Sequence, residues 1–259
     1  MFKDQIGNRM KNYYENISKT QLMRRCPVII RLDGKAAHTF TKNFAKPFDE
    51  VFQKSMRETM KYLCENIQGC VLGYHFSDEI TLVLIDYTNL DTEAWFNYQI
   101  QKMCSVSASM ATLSFNRFFK ENIDEWFDEN RDRIFEEEIE FDALRVAESM
   151  GLMFDSRCFN IPKEEVCNML YWRQLDAKRN GLQMIARANF SHKELQNKSC
   201  NEIYDMLIEK NIYLIDFPNN YTNGSCCIKE ENGWKIDTKI PAFAFDRDYV
   251  NSRILWENK

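Results

Sequence analysis

PVIIRLDGKAAHTF, residues 27–40, sets an apolar, β-branched run directly against an aspartate and a glycine. Val28, Ile29, Ile30 and Leu32 predict a short buried strand. Asp33-Gly34 at its end has two readings. One is an ordinary turn, because Asp bonds its own backbone and Gly tolerates φ > 0. The other is half of a carboxylate site, and only a second stretch can decide between them.

That second stretch is CVLGYHFSDEITLVLID, residues 70–86, two apolar runs joined by a short polar centre. It predicts a hairpin with Asp78-Glu79 at its tip. Between the two lies DEVFQKSMRETMKYLCEN, residues 49–66, with Val51, Phe52, Met56, Met60 and Leu63 at helical spacing behind an Asp49 N-cap. The order is strand, helix, strand, strand. A crossover of the usual hand sets the first strand beside the hairpin in one sheet, which brings Asp33 and Asp78 to one sheet edge. Carboxylates gathered this way repel each other unless a cation joins them. Mg²⁺ is the usual partner where nucleotide phosphates are present, and two such ions serve phosphoryl or nucleotidyl transfer. Gly34 and the small residues after it offer successive N–H groups as an anion nest. Lys46 and Ser77 add charge and a hydroxyl for a phosphate tail. The residues alone leave a metal–nucleotide site and an ordinary polar rim both open.

The rest of the chain is consistent with one α/β (α+β) domain carrying added helices and a C-terminal β-hairpin. Residues 91–122 read as a long helix whose Ser105, Ser107, Ala108, Ser109 and Ala111 predict close packing on another element. Glu121–Glu148 holds 12 acids and 3 Arg, a predicted solvated acidic helix and connection. FDSRCFNIP predicts a strand ending before Pro162, and two helices are expected over 163–190. Ser191 with Glu194 and Ser199 with Glu202 fit capping boxes. Asn223-Gly224 and Asn232-Gly233 mark the turns of the last hairpin. Trp172 is read as a core residue.

With 34 Lys+Arg against 39 Asp+Glu the chain is mildly acidic, so any nucleic-acid contact must come from a local patch. Residues 171–198 supply one, with six Lys/Arg against two acids. Nine Cys without a CxxC pair read as reduced packing thiols. The polar N-terminus and the lack of any apolar run near the roughly 18–20 residues of a membrane span predict a cytoplasmic protein.

RLDGKAAHTFTKNFAKPFDEVF followed by VLGYHFSDEITLVL resembles the histidine tRNA guanylyltransferase family. The family carries an RLDGR-x-F-H-x-F segment, a KP-x-D and a YG-x-SDE hairpin. IGNRMKNYYE, SVSASMATLSFN and YWRQLDAKRNGLQMIARANFSHKEL extend the resemblance in the family's order. It implies a single catalytic domain over 1–259, with a polymerase palm-like nucleotidyltransferase core over 1–120 and a helical and hairpin extension over 121–259. It also implies catalysis by Asp33, Asp78 and Glu79, with two Mg²⁺ held by Asp33, Gly34 and Asp78. Lys35, Ala36, Ala37, His38, Lys46 and Ser77 would bind the nucleotide triphosphate. Beside such a site Arg173, Lys178, Arg179, Asn180, Arg187 and Lys193 are expected to face tRNA.

The implied reaction is template-dependent 3′-to-5′ addition of nucleotides to the 5′ end of tRNA, with ATP and GTP or another nucleotide triphosphate as substrates and a homotetramer as the working form. One departure directs the finer reading. Where enzymes that mark histidine tRNA have HIN-x-x-YN, this chain has KRNGLQM, with Lys178 in place of the histidine and only Asn180 retained. That is similar to the guanylyltransferase-like branch, which repairs truncated 5′ ends. Three alternatives stay open: addition of a single G to histidine tRNA, a nucleotide cyclase, and a non-catalytic tRNA-binding protein.

Overall fold

The computed structural model of the chain describes residues 4–137 and 142–255, the side chains of 132–137 excepted. Part of the expected acidic stretch Glu121–Glu148 lies outside the described residues. A six-stranded sheet runs in the order β4-β1-β3-β2-β5-β6, every neighbouring pair antiparallel. Its strands are β1 (Val28–Gly34), β2 (Cys70–Phe76), β3 (Glu79–Leu84), β4 (Phe154–Asn160), β5 (Ser225–Glu230) and β6 (Gly233–Asp237). Helix α1 (Gln5–Met10) precedes β1, and α2 (Ala37–Phe40) and α3 (Glu50–Asn66) follow it. Helices α4 (Ile100–Glu137) and α5 (Asp142–Met150) lead into β4. Helices α6 (Lys163–Asn189), α7 (His192–Leu195), α8 (Cys200–Glu209) and α9 (Asn220–Asn223) connect β4 to β5, and α10 (Asp248–Ile254) comes last. The mixed α/β class and the βαββ core agree with the sequence reading.

Alternation along β1 places the site. Val28, Ile30 and Leu32 join Met56, Met60 and Leu63 of α3 and Phe115, Phe119 and Ile123 of α4 in one core. Ile29 faces the other way, into a second core with Leu170, Ala177 and Ile185 of α6. Because successive side chains of a strand point to opposite faces, Arg31 and Asp33 follow Ile29 onto the α6 side. Helix α3 starts where the Phe52 N–H donates to Asp49 Oδ1 at 2.8 Å, the expected cap. Phe40, Phe44, Phe52, Phe115 and Phe119 form a ring cluster with centroids 5.4–6.3 Å apart. Such pairs add about 0.5–1.5 kcal/mol each beyond their buried area. They fix the loop after α2 against α3 and α4.

Four expectations are corrected. Residues 163–189 form one helix rather than two. Gly181 within it serves a close approach: a Cβ there would stand 2.3 Å from Tyr221 O. The C-terminal hairpin is not an appendage, since β5 pairs with β2 and extends the sheet; its turn lies between Glu230 and Gly233, while Gly224 (φ 80°) joins α9 to β5. Of the five small residues expected to pack closely, Ser107 and Ala111 are buried while Ser105, Ala108 and Ser109 are not, and Ser107 Oγ meets Ser156 Oγ of β4 at 2.8 Å. Trp172 is 53 % exposed, with the Arg31 and Arg173 guanidinium groups 5.9 and 4.5 Å from its ring centroid. Both capping boxes form as expected.

Candidate active site

Strand β1 runs through Gly34, so Asp33-Gly34 is a strand end and not a turn; the left-handed residue is Ala36, at φ 54°. Asp33 stands opposite Glu79 of β3 and Asp155 of β4. The Gly34 N–H donates to Asp78 O at 3.1 Å, tying the strand end to the hairpin tip. A Cβ on Gly34 would come within 3.3 Å of Asp78 Cβ, so glycine keeps the two segments close. The Lys35 N–H donates to Met153 O at 2.7 Å, which removes it from the expected anion nest.

The three acids separate by their partners. Burial and the charge of Asp155 raise the Asp33 pKa, against the opposing pull of Arg157, Arg31 and Arg173. Burial and the charge of Asp33 raise that of Asp78. Among the described residues neither has an ion-pair partner. Glu79 is different. Arg173 Nη2 donates to Glu79 Oε2 at 2.9 Å, and Arg173 Nε stands 2.7 Å from Oε1 as an ion contact without hydrogen-bond geometry. Arg31 Nε lies 4.0 Å from Glu79 Oε2. Glu79, expected among the catalytic acids, is therefore engaged by arginine. Burial still outweighs the two arginines and holds its carboxyl above the usual range.

Arg173 is in turn held by acids. Expected to face RNA, it is only 12 % exposed and bridges Glu79 to Asp176, whose Oδ2 accepts from Nη2 at 2.9 Å. Asp176 also takes Arg179 Nη2 on Oδ1 and Asn180 Nδ2 on Oδ2. Lys178, Arg179, Arg187 and Lys193 are exposed, as a nucleic-acid face requires.

Two cavities meet at the hairpin tip. The smaller, about 100 Å³, is lined by Asp33, Asp78, Glu79, Arg173 and Asp176 among others. The larger, about 490 Å³, is lined by Ala37, His38, Lys42, Lys46, Phe44, Phe48, Phe52, Gln53 and Arg187 among others. Ser77, Asp78 and Asn180 line both. The expected nucleotide residues Ala37, His38, Lys46 and Ser77 thus share one wall-and-rim with Asn180 and Arg187, expected to contact RNA. Behind the tip, His75 is fully buried. Its Nε2 lies 2.9 Å from Ser77 O and its Nδ1 3.2 Å from Ser225 Oγ. A carbonyl only accepts, so Nε2 carries the proton and Nδ1 accepts from the hydroxyl.

Sequence reasoning missed Arg31, Asp155, Arg157, Asp176 and Gln53. The two-residue period of a strand placed Arg31 on the face of Asp33. Nothing local marked the others, because strand pairing and helix docking bring them in.

The model of the tRNAHis guanylyltransferase family matches residues 7–162. The chain belongs to that family. It is thereby a tRNA nucleotidyltransferase. A bacterial tRNA(His) guanylyltransferase (Thg1)-like protein solved in complex with ATP is 39 % identical, with a TM-score of 0.82 over 98 % of this chain and all of that one. A bacterial protein of the same description in complex with GTP is 36 % identical, with a TM-score of 0.77 over 97 % and 99 %. The probable tRNA(His) guanylyltransferase of Dictyostelium discoideum is 26 % identical over 87 % of this chain and 84 % of its own.

Proposed function

We propose that this family member repairs the 5′ end of tRNA by template-dependent addition of nucleotides in the 3′-to-5′ direction. The observation that carries the reading is the pair of carboxylates, Asp33 and Asp78, without an ion-pair partner among the described residues, beside a cavity with Lys46, His38 and Arg187 at its mouth. About 490 Å³ falls within the range of small-molecule sites, and the relatives solved with ATP and with GTP support a nucleotide triphosphate as its occupant.

A 5′-monophosphate end first takes an adenylyl group from ATP, and pyrophosphate leaves. The 3′-hydroxyl of an incoming nucleotide, paired to the opposite acceptor strand, then attacks the 5′ phosphorus and AMP departs. If the end already carries a triphosphate, pyrophosphate is the leaving group.

Asp33 and Asp78 fit Mg²⁺: both are hard oxygen donors, partly desolvated, and neither is in an ion pair among the described residues. With the Gly34 carbonyl they would hold two ions, which when bound supply charge neutralisation and a more acidic attacking hydroxyl. Lys46, His38 and Ser77 hold the triphosphate of the incoming nucleotide. Arg173 keeps Glu79 and Asp176 in place, so the charge free for the reaction is that of Asp33 and Asp78. Lys178, Arg179, Arg187 and Lys193 take tRNA phosphates from the exposed side. Positioning and neutralisation do most of the work, with no covalent enzyme nucleophile. Family likeness also supports a homotetramer that tRNA crosses and a cytoplasmic setting.

Lys178 and the rest of KRNGLQM, in place of the histidine-tRNA motif, favour repair over anticodon-dependent G addition. Labelled nucleotides with Mg²⁺ and two 5′-monophosphorylated tRNAs test this. A tRNA lacking its first nucleotide should be filled whatever its anticodon. Addition of G only to full-length histidine tRNA would overturn the repair reading.

A further inference from the structure

Gln53 lies on α3 with 6 % of its surface exposed, and it lines the 490 Å³ cavity. Among the described residues its side chain has no hydrogen-bond partner. The other buried polar side chain of that wall, Asp49, is engaged: Oδ1 accepts from the Phe52 N–H and Oδ2 from the Ala45 N–H at 3.4 Å. Its amide is not sealed from solvent: it opens on the cavity, where the polar edge of a ligand can take the place of water.

Exposure sorts the cavity into two ends. His38, Lys42, Lys46 and Arg187 are exposed, whereas Ala37, Phe44, Phe48, Phe52 and Gln53 are buried. Phosphates belong with the cations at the mouth. A nucleobase, apolar on its faces and polar on its edge, belongs against the aromatic wall. Resting on the nucleotide reading above, the geometry points to Gln53 as the side chain that reads the edge of the nucleobase. Its amide offers an acceptor and two donors. It suits the N6/N7 edge of adenine with a donor and an acceptor together, and it reaches guanine O6 or N7 by turning its NH₂ inward. Gln53 thereby contacts the edge of the base, and the choice of base in the addition step stays with pairing to the template.

Calorimetric titration without tRNA, with Mg²⁺ present, tests the assignment using ATP, GTP and inorganic tripolyphosphate. In Gln53→Leu, ATP and GTP should bind about tenfold more weakly, the worth of one ordinary hydrogen bond, while tripolyphosphate binds as to the parent. In Gln53→Glu, which only accepts, the ratio of ATP to GTP affinity should move by about tenfold; an indirect structural role would weaken both alike. Unchanged nucleotide affinity in Gln53→Leu, or an unchanged ratio in Gln53→Glu, overturns the assignment to Gln53. A parent that binds neither nucleotide nor tripolyphosphate instead overturns the nucleotide-site reading on which it rests. Melting temperatures within 2 °C of the parent would show both variants folded; a variant that fails this is replaced by Gln53→Met, for which the tenfold expectation is the same.

Discussion

Replacing Arg173 with alanine separates its role as a brace from a role in binding RNA. Its guanidinium is 12 % exposed and meets Glu79 and Asp176, themselves 17 % and 20 % exposed. Without it, Glu79 keeps only the 4.0 Å contact to Arg31, close to Asp33 and Asp78. Removing one partner of a fully buried ion pair costs about 3–5 kcal/mol. The residual exposure of this cluster lowers that to about 2–4 kcal/mol. For a chain of this size the loss should appear as a fall in Tm of about 5–15 °C. Thermal melts of Arg173→Ala, Glu79→Gln and the double variant measure it. The double variant should be more stable than Arg173→Ala, because its buried carboxylate is gone. The log–log salt slope of tRNA binding should stay at the parent value in Arg173→Met. A fall of about 0.7–0.9 in that slope, with a melting temperature within 2 °C of the parent in Arg173→Ala, would refute the reasoning.

Four further outcomes follow. Asp33→Asn and Asp78→Asn should each abolish nucleotide incorporation while Tm holds or rises, because each removes a charge that burial and a neighbouring acid already disfavour; incorporation assays and melts report the two effects. Burial holds the His75 pKa down to about 3, so the folded state refuses a proton that the unfolded chain takes below about 6.5. Its stabilising contribution is complete above that pH and is lost as pH falls toward 3, at up to about 1.4 kcal/mol per pH unit; denaturant midpoints of His75→Gln should fall less steeply with acid than the parent's. Gly181→Ala gains about 1 kcal/mol of helix propensity but puts a Cβ 2.3 Å from Tyr221 O, and a lowered Tm is the expected net result. Arg179→Ala should weaken tRNA binding and reduce its salt slope, since its side chain, although Asp176 takes Nη2, is 59 % exposed and faces solvent where a phosphate can approach.

The parts of the fold legible in the sequence are those set by local signals. The β-branched run of β1, the Asp49 cap and the hairpin at Ser77-Asp78 each carry their own pattern, and together they bring Asp33 to Asp78. The single helix over 163–189 was not legible because nothing local shows that Gly181 admits the backbone of α9 without ending the helix. Trp172 was misplaced because an aromatic in a helix reads as core, whereas here its ring lies beneath the Arg31 and Arg173 guanidinium groups and stays 53 % exposed. Arg173 and Glu79 lie 94 residues apart in the chain, so their pairing depends on how α6 docks. Gln53 sits on the buried side of α3, and only the loop after α2 and helix α6 make that side a cavity wall.

The measurement that bears most directly on the central claim is the fate of the γ-phosphate of the incoming nucleotide. A 5′-monophosphorylated tRNA lacking its first nucleotide would be incubated with ATP, Mg²⁺ and γ-labelled GTP opposite a templating C. Addition at the 5′ end leaves the incoming triphosphate intact, so the label should be retained on the tRNA, one per chain, with AMP released in equal amount. Unlabelled extended tRNA, with all the label in pyrophosphate, would show growth at the 3′ end and contradict the account; no extension despite tRNA binding would favour a non-catalytic binder.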